Sequence, residues 1–255
     1  MILVAGGDSF IWGLELADCA HSGSNGYSQK TFSALLSQDM EYHCVAYPGN
    51  ANGAISRSTM TACETLKDVM VLVNWTFPQR YDFRFNYDTH KETSPWYSIH
   101  SHYPTDEPFE NISNPTLVKD FARTFYKHVG NNEYYELYST LKEILFLQLY
   151  LKSKNIPYLF TTADNSYYNH ENYLRSKDKD LESLYNQITW NDWYFFAEGK
   201  AANETLAPRG FYQWAVENKY TVGAGGHPLE QAHSDAAELI KDKFNELVKK
   251  SIESY

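Results

Sequence analysis

Four short apolar runs constrain the fold more strongly than any other feature of the sequence. They lie at residues 2–6, 42–47, 68–75 and 157–162. In the third run, DVMVLVNW, apolar residues follow one another directly after Asp68. Runs of this kind suit strands that are buried on both faces, as the strands of a parallel sheet are.

Segments with helical spacing separate these runs. The first of them places Phe32, Leu35, Leu36 and Met40 on one helical face. Because strands that alternate with helices over a short repeat are typical of a parallel sheet, the sequence predicts an α/β fold. The predicted helices cover residues 28–40, 52–67, 115–129, 133–155, 210–219 and 233–255.

The stretch at residues 76–114 lacks a regular period. It is rich in aromatic residues, histidine and proline, and we interpret it as a long excursion over the edge of the sheet that forms a lid or part of a substrate wall. His100 and His102 have the spacing to chelate a metal from an extended segment, but no third ligand accompanies them. We therefore expect a surface pair and predict no metal site.

Length and charge restrict the class of protein. The 255 residues are predicted to form a single domain, 1–255, with an insertion around 76–114. No apolar run approaches the roughly 20 residues that cross a bilayer, so we predict no membrane segment. The amino terminus lacks a basic and apolar leader, which predicts a cytoplasmic protein. A formal net charge of -10 argues against a nucleic-acid partner.

Cysteine and aromatic content add two expectations. Cys19, Cys44 and Cys63 are odd in number and have no metal-ligand spacing, so they fit reduced thiols. The chain carries 21 Tyr, 14 Phe and 6 Trp residues. Aromatic rings suit sugars and other flat ligands, although we expect most of these rings to serve in packing.

Three loops that follow predicted strands carry the residues of chemical interest. They are Gly7-Asp8-Ser9-Phe10, residues 48–53 and Asn74-Trp75-Thr76. In an open parallel sheet, ligands collect at the carboxyl ends of the strands. A serine at the start of a helix has backbone N–H groups nearby that can hold an oxyanion. A glycine N–H in the second loop and an asparagine amide can add further donors.

A nucleophilic serine also needs a base, and two histidines near the carboxyl terminus are candidates. His227-Pro228 lies in a glycine-rich loop just before the last predicted helix, and His233 follows six residues later. Proline after His227 favours an extended backbone at that histidine. One of the two histidines can act as the base and the other as a structural partner.

Together these residues resemble the SGNH, or GDSL-type, esterase and acylhydrolase family. Its first block is matched by Gly7-Asp8-Ser9, its second by Gly49 and its last by His227-Pro228. The resemblance implies a flavodoxin-like three-layer α/β/α sandwich with a mainly parallel sheet. The segments GNANGAISR, VLVNWTFPQR, GFYQWA and GGHPLEQAH are further similar to a subgroup found in phages and some bacteria, which implies a virion-associated protein if the chain is phage-encoded.

Two positions depart from the family pattern. Thr76 stands where the family has an oxyanion-hole asparagine, so the third donor is expected from the Thr76 hydroxyl, from Asn52 or from Asn74. Ala224 stands where the family has the aspartate that orients the catalytic histidine. A backbone carbonyl, Asp164 or Glu230 is then expected to orient His227.

The resemblance implies a serine-hydrolase mechanism without a cofactor. Ser9 would attack an ester carbonyl, His227 would accept its proton, and Gly49 with Asn52 or Thr76 would stabilise the oxyanion. Asp8 is expected to anchor the turn, with Asn74 and His233 as supporting residues. Arg57 and Arg80 can bind an anionic substrate group, but pairing with acidic neighbours is the stronger expectation.

Three functions remain open on the sequence. The first is hydrolysis of a small acyl ester, such as an acetyl ester, on a small molecule or a glycan. The second is O-acyl transfer, in which a sugar hydroxyl replaces water at the same site. The third is a non-catalytic carbohydrate-binding or virion-associated module, which the altered positions Thr76 and Ala224 favour.

Overall fold

The computed structural model describes residues 1–19, 26–37, 39–85, 96–101, 115–166, 178–196 and 209–253. Its main feature is a parallel sheet of four strands, with a separate two-stranded antiparallel hairpin. The strands are β1 (Ile2–Gly6), β2 (Glu41–Cys44), β3 (Val69–Trp75), β4 (Arg80–Arg84), β5 (Trp96–His100) and β6 (Tyr158–Thr162).

The order of strands in the parallel sheet is β2-β1-β3-β6. In the register of the sheet, Val4 of β1 lies between His43 of β2 and Val71 of β3, and Val73 of β3 lies beside Phe160 of β6. In this order β1 lies between β2 and β3. The chain adds β2 on one side of β1 and the later strands of the sheet on the other side, as in flavodoxin-like sheets. The predicted fold class is confirmed.

Eight helices accompany the strands in the described ranges. A π-helical turn, Tyr126–Gly130, extends α4, and a 3₁₀ turn covers Trp190–Asp192. The helices are α1 (Ser9–Trp12), α2 (Phe32–Leu36), α3 (Asn52–Thr65), α4 (Pro115–Phe125), α5 (Glu133–Ser153), α6 (Lys179–Gln187), α7 (Phe211–Glu217) and α8 (Glu230–Glu253). None of them is both long and apolar enough to span a bilayer.

Alternate strand residues form two separate cores, one on each face of the sheet. Val4 packs with residues of α3, α5 and α6, whereas Leu3 and Ala5 pack with residues of α1, α2, α7 and α8. Successive side chains of a strand point to opposite faces, so an uninterrupted apolar run fills both cores. The sheet and the helices on its two faces form three layers, and this arrangement follows from the apolar runs in the sequence.

Several predicted elements are shorter in the structure, among them the first predicted helix and the second strand. The helix predicted over 28–40 is confined to α2, because the Thr31 side chain accepts from the Ala34 N–H and the Ser37 hydroxyl donates to the Ala34 carbonyl oxygen. These contacts cap a helix of little more than one turn. The strand predicted over 42–47 ends at Cys44.

The described part of residues 76–114 contains two strands that the sequence did not predict. β4 and β5 pair in an antiparallel register, with Tyr81 opposite Ile99. Both side chains are buried against Val118, Ala122 and Tyr126. The rest of the predicted lid or substrate wall, residues 86–95 and 102–114 with His102, lies outside the described residues.

The three cysteines carry free thiols, as expected. Burial raises the pKa of Cys44 to about 11 and the pKa of Cys63 to about 12. Burial also raises the pKa of Cys19. All three are therefore protonated at neutral pH and suited to packing.

Candidate active site

Ser9 lies directly after the central strand β1 and begins α1. The turn is fixed by Asp8, whose Oδ1 accepts from the Phe10 N–H at 3.0 Å and whose carbonyl oxygen accepts from the Trp12 N–H at 3.0 Å. An aspartate in this capping position satisfies N–H groups that the helix itself cannot. Ser9 is consequently held at the carboxyl end of the sheet.

His227 meets Ser9 from the opposite end of the chain. The Nε2 atom lies 2.9 Å from Ser9 Oγ. The ring packs edge-on against Phe10, with the ring centres 5.7 Å apart, and the His227 carbonyl oxygen accepts from the Gly223 N–H at 2.8 Å. The predicted serine and histidine are therefore brought within hydrogen-bond reach of one another.

A carboxylate that the sequence reasoning missed completes this line of hydrogen bonds. Glu15 Oε2 lies 2.7 Å from His227 Nδ1, and Oε1 accepts from the Gly225 N–H at 2.7 Å. These hydrogen bonds, the one from Gly225 most of all, lower the pKa of Glu15 below its ordinary value. The side chain therefore faces the imidazole as a carboxylate, and Nε2 is left to accept the Ser9 proton.

Local backbone geometry brings Glu15 to His227. Glu15 has a φ of 71°, a left-handed conformation that is uncommon for a residue with a side chain. A Cβ atom on Gly223 would lie 2.5 Å from Glu15 Cδ, so the glycine is needed for the close approach. The glycine-rich loop that precedes His227 is shaped around this carboxylate.

The carboxylates expected to orient His227 do not do so. Asp164 accepts from the Ser166 N–H at 2.9 Å, and Glu230 accepts from the Ala17 N–H at 2.8 Å. The sequence did contain a signal, since Ala224 left His227 without its usual partner. That absence made every acidic residue of the neighbouring loops a candidate, including Glu15, six residues after Ser9.

Gly49 lies in a loop that is tied to the turn before Ser9. The Asn50 side-chain amide donates to the Gly7 carbonyl oxygen at 3.0 Å, and the Tyr47 N–H donates to the same oxygen at 3.4 Å. Gly49 has a φ of 81°, and a Cβ atom there would meet nothing within 4 Å. Within the described ranges, the N–H groups of Ser9 and Gly49 have no hydrogen-bond acceptor.

Asn52 and Thr76 do not supply free donors, contrary to the expectation from the sequence. The Asn52 amide donates to the Thr76 carbonyl oxygen and to Thr140 Oγ1, both at 3.2 Å, and its oxygen accepts from the Thr76 N–H at 2.9 Å. The Thr76 hydroxyl donates to Asp8 Oδ2 at 2.6 Å. Both side chains are buried and their donors are fully used inside the fold.

Asp8 forms the centre of a buried network. Besides Thr76, Asp8 Oδ2 accepts from Arg80 Nη1 at 2.9 Å, and Asp8 is completely buried. Arg57 pairs in the same way with Asp82. The structure thus agrees with the expectations that Asp8 anchors the turn and that both arginines are paired with acidic neighbours.

Asn74 and His233 also serve the interior. Asn74 is buried and its oxygen accepts from Thr161 Oγ1 at 2.8 Å. His233 Nδ1 accepts from the Phe32 N–H at 3.2 Å, and burial lowers the pKa of His233 to about 3. A neutral imidazole enclosed in this way is a structural residue, and neither side chain contacts Ser9 or His227 through a hydrogen bond in the described ranges.

Comparisons with known proteins give one structural match. No family model matches the chain, and no curated protein sequence matches it. A solved structure that is similar to it is the carbohydrate esterase family 2 enzyme plus carbohydrate-binding domain of Corynascus thermopiles (Myceliophthora fergusii). The identity is 8%, the TM-score is 0.46, and the match covers 97% of this chain. The chain spans 66% of the length of that structure.

Proposed function

We propose that the chain is a serine ester hydrolase of the SGNH type, with Ser9, His227 and Glu15 as its catalytic triad. The observation that carries the proposal is the continuous line of hydrogen bonds from Ser9 Oγ through His227 to Glu15, at 2.9 and 2.7 Å. Nucleophile, base and orienting carboxylate stand in the order that acyl transfer requires. Placement of Gly7-Asp8-Ser9 after β1 and of His227-Pro228 before α8 supports it further.

The mechanism follows from this geometry. Ser9 Oγ attacks the ester carbonyl carbon while His227 Nε2 takes its proton, and Glu15 stabilises the imidazolium that forms. Collapse of the tetrahedral intermediate breaks the bond to the alcohol, which leaves with the proton from His227. Water then gives a proton to His227 and attacks the acyl-serine. The acid is released as the proton returns to Ser9.

The oxyanion is proposed to bind at the N–H groups of Ser9 and Gly49. Both donors are free of other acceptors in the described part of the chain, and the open space at Gly49 leaves room for a carbonyl group. With Asn52 and Thr76 engaged elsewhere, the site offers these two backbone donors. Because one donor contributes about 10²–10³ in rate, we expect a slower enzyme than one with a third donor.

A small acyl group, such as acetyl, on a carbohydrate is the proposed substrate. Trp12, the last residue of α1, contacts Tyr47 at 5.3 Å between ring centres, and Tyr47 is 62% exposed. Tyr47 lies two residues before Gly49. Exposed aromatic faces beside the oxyanion donors suit the apolar C–H face of a sugar ring.

A fluorophosphonate probe and 4-nitrophenyl acetate test the proposal. The probe should label the unaltered chain, and labelling should vanish in Ser9→Ala and fall sharply in His227→Ala. Hydrolysis of 4-nitrophenyl acetate should fall about 10⁴-fold or more in Ser9→Ala. The matched control is Ser58→Ala, because the Ser58 hydroxyl donates to the Ile55 carbonyl oxygen within α3.

The opposite result has a definite meaning. A folded chain that is neither labelled nor active on 4-nitrophenyl acetate is not a serine hydrolase. It would then be a binding module that keeps the fold. Circular dichroism of each variant establishes that the chain is folded.

A further inference from the structure

A second candidate site has neither Ser9 nor His227 among its lining residues. It is a cavity of about 550 Å³ between α3, α5 and the β4–β5 hairpin. Gly53 and Arg57 of α3, Trp96 of β5, and Phe146 and Tyr150 of α5 are among its lining residues. Its volume falls within the range of sites that hold small molecules.

The cavity begins close to the candidate active site. Gly53 is the fourth residue after Gly49. It follows Asn52, whose side chain forms hydrogen bonds with the backbone of Thr76, directly after β3. The cavity continues along α3 to Glu64. At the helical rise per residue, the distance from Gly53 to Glu64 is about 16 Å along the helix axis. The cavity is thus an elongated groove with one end near the proposed oxyanion donors.

Aromatic faces are exposed within this groove. Trp96 is 48% exposed and Phe146 is 55% exposed. The Arg57 guanidinium lies 3.8 Å from the centre of a Trp96 ring and also pairs with Asp82, which fixes the orientation of Trp96 against the hairpin. Large exposed aromatic side chains that line one cavity are typical of a binding surface.

The charged groups of the groove are neutralised in pairs. Besides the Arg57–Asp82 pair, Glu64 lies 3.1 Å from Lys154 Nζ and Glu143 lies 3.3 Å from Lys142 Nζ. A polyanion would need free cations, and a basic peptide would need free carboxylates. An acyl chain would strip water from these charged groups. A neutral, polar ligand fits the lining better than any of these three.

Ser56 provides an independent sign of a ligand. It lines the groove, is 1% exposed, and its hydroxyl has no hydrogen-bond partner among the described residues. Buried hydroxyl groups are normally paired. A ligand that carries hydroxyl groups would supply the missing partner.

We propose that this groove binds a neutral oligosaccharide, the carbohydrate part of the ester that is hydrolysed at Ser9. The link to hydrolysis rests on the proposed function, whereas binding in the groove does not. A sugar chain offers apolar C–H faces to Trp96 and Phe146 and hydroxyl groups to Ser56 and the paired carboxylates. The groove then selects the glycan while Ser9 acts on its acyl group.

The experiment measures glycan binding to the full chain carrying Ser9→Ala, which prevents turnover. Neutral hexasaccharides of xylose, glucose, mannose and N-acetylglucosamine are titrated by calorimetry and by amide chemical shifts. One or more should bind. Trp96→Ala and Phe146→Ala should each weaken that binding about fivefold or more. Leu149→Ala is the control, since Leu149 is 53% exposed on the same helix and does not line the groove.

Three results would overturn the inference. They are no binding of any of the four sugars at millimolar concentration, binding that neither Trp96→Ala nor Phe146→Ala weakens, and binding of hexalysine in their place. Phe146 is an exposed helix residue, so its substitution remains informative if Trp96→Ala fails to fold. Loss of 4-nitrophenyl acetate hydrolysis in Ser9→Ala is measured separately, and its absence would refute the proposed function without touching the groove.

Discussion

Two polar clusters lie side by side at the carboxyl edge of the sheet, and they use their hydrogen bonds differently. In the line formed by Ser9, His227 and Glu15, the last two side chains are 16% and 22% exposed. In the network formed by Asp8, Thr76 and Asn52, exposure is 2% or less. The first cluster can exchange a proton with a ligand, whereas the second is closed.

A residue at a motif position does not by itself supply the donor that the motif predicts. Thr76 and Asn52 lie at positions from which an oxyanion donor was expected, yet their donors bind Asp8, the Thr76 carbonyl oxygen and Thr140. An oxyanion donor needs an N–H or O–H group that no protein acceptor already occupies. Three substitutions test this division between the two clusters.

Glu15→Gln should have the largest effect, because it removes the charge that orients His227 and stabilises its protonated form. We expect kcat/KM for 4-nitrophenyl acetate to fall about 10²–10⁴-fold, with little change in the urea midpoint. Glu230→Gln is the matched control, since the Glu230 carboxylate accepts from the Ala17 N–H and makes no hydrogen bond to Ser9 or His227 in the described ranges. Equal losses in the two variants would remove Glu15 from the triad.

Thr76→Val should act on stability. The substitution removes a hydrogen bond to a fully buried carboxylate, Asp8, which costs about 2 kcal/mol, and kcat/KM should fall less than about tenfold. Urea unfolding and steady-state kinetics measure the two effects. Thr124→Val, at an exposed position of α4, is the control. A kinetic loss of about 10²–10³ with unchanged stability would instead place Thr76 in the oxyanion hole.

The smallest expected effect is that of His233, the second histidine near the carboxyl terminus, on the pH dependence of the unfolding free energy. Its folded pKa of about 3 lies below the ordinary value of 6.5, so the unfolded chain binds a proton first as the pH falls. The neutral His233 side chain therefore makes its full contribution to the unfolding free energy above pH 6.5, and this contribution is lost as the pH falls toward 3. Between pH 7 and 5.5, unfolding free energy should fall by about 1 kcal/mol from this group.

The measurement is urea unfolding of the unaltered chain and of His233→Asn at both pH values. Asparagine keeps an acceptor near the Phe32 N–H but does not titrate. The variant should therefore show a loss smaller by about 1 kcal/mol over the same interval. Identical pH dependence would mean that His233 is not held neutral by burial.

The sheet was predictable because three of its four strands, β1, β3 and β6, are mostly buried on both faces. Val71, Leu72 and Val73 face alternate cores, so the apolar run identifies the strand without further information. The β4–β5 hairpin was missed although Tyr81 and Phe83 alternate with Asp82 and Arg84. That period of two was present, but the surrounding histidines and prolines obscured it.

The residues of the candidate site could be predicted only where a short sequence motif contains them. Ser9 and His227 were predicted from their motifs, and the structure brings them within 2.9 Å of each other. Glu15 was not, because its role depends on a left-handed backbone and on contact with a loop more than 200 residues away. The hydrogen bonds that occupy the Asn52 amide and the Thr76 hydroxyl were not predicted, because a sequence does not reveal which donors already have partners inside the fold.

The separation of Ser9 and His227 along the chain, 218 residues, has a consequence for biosynthesis. Emergence from the ribosome proceeds from the amino terminus, so the serine and Glu15 are exposed long before the histidine is made. A nascent chain carries the proposed nucleophile without its base. Contacts between residues so far apart in the chain form slowly, so we expect the contact between Ser9 and His227 to form late in folding. Under the proposed mechanism, the growing polypeptide cannot act on esters until His227 has been made and has docked against Ser9.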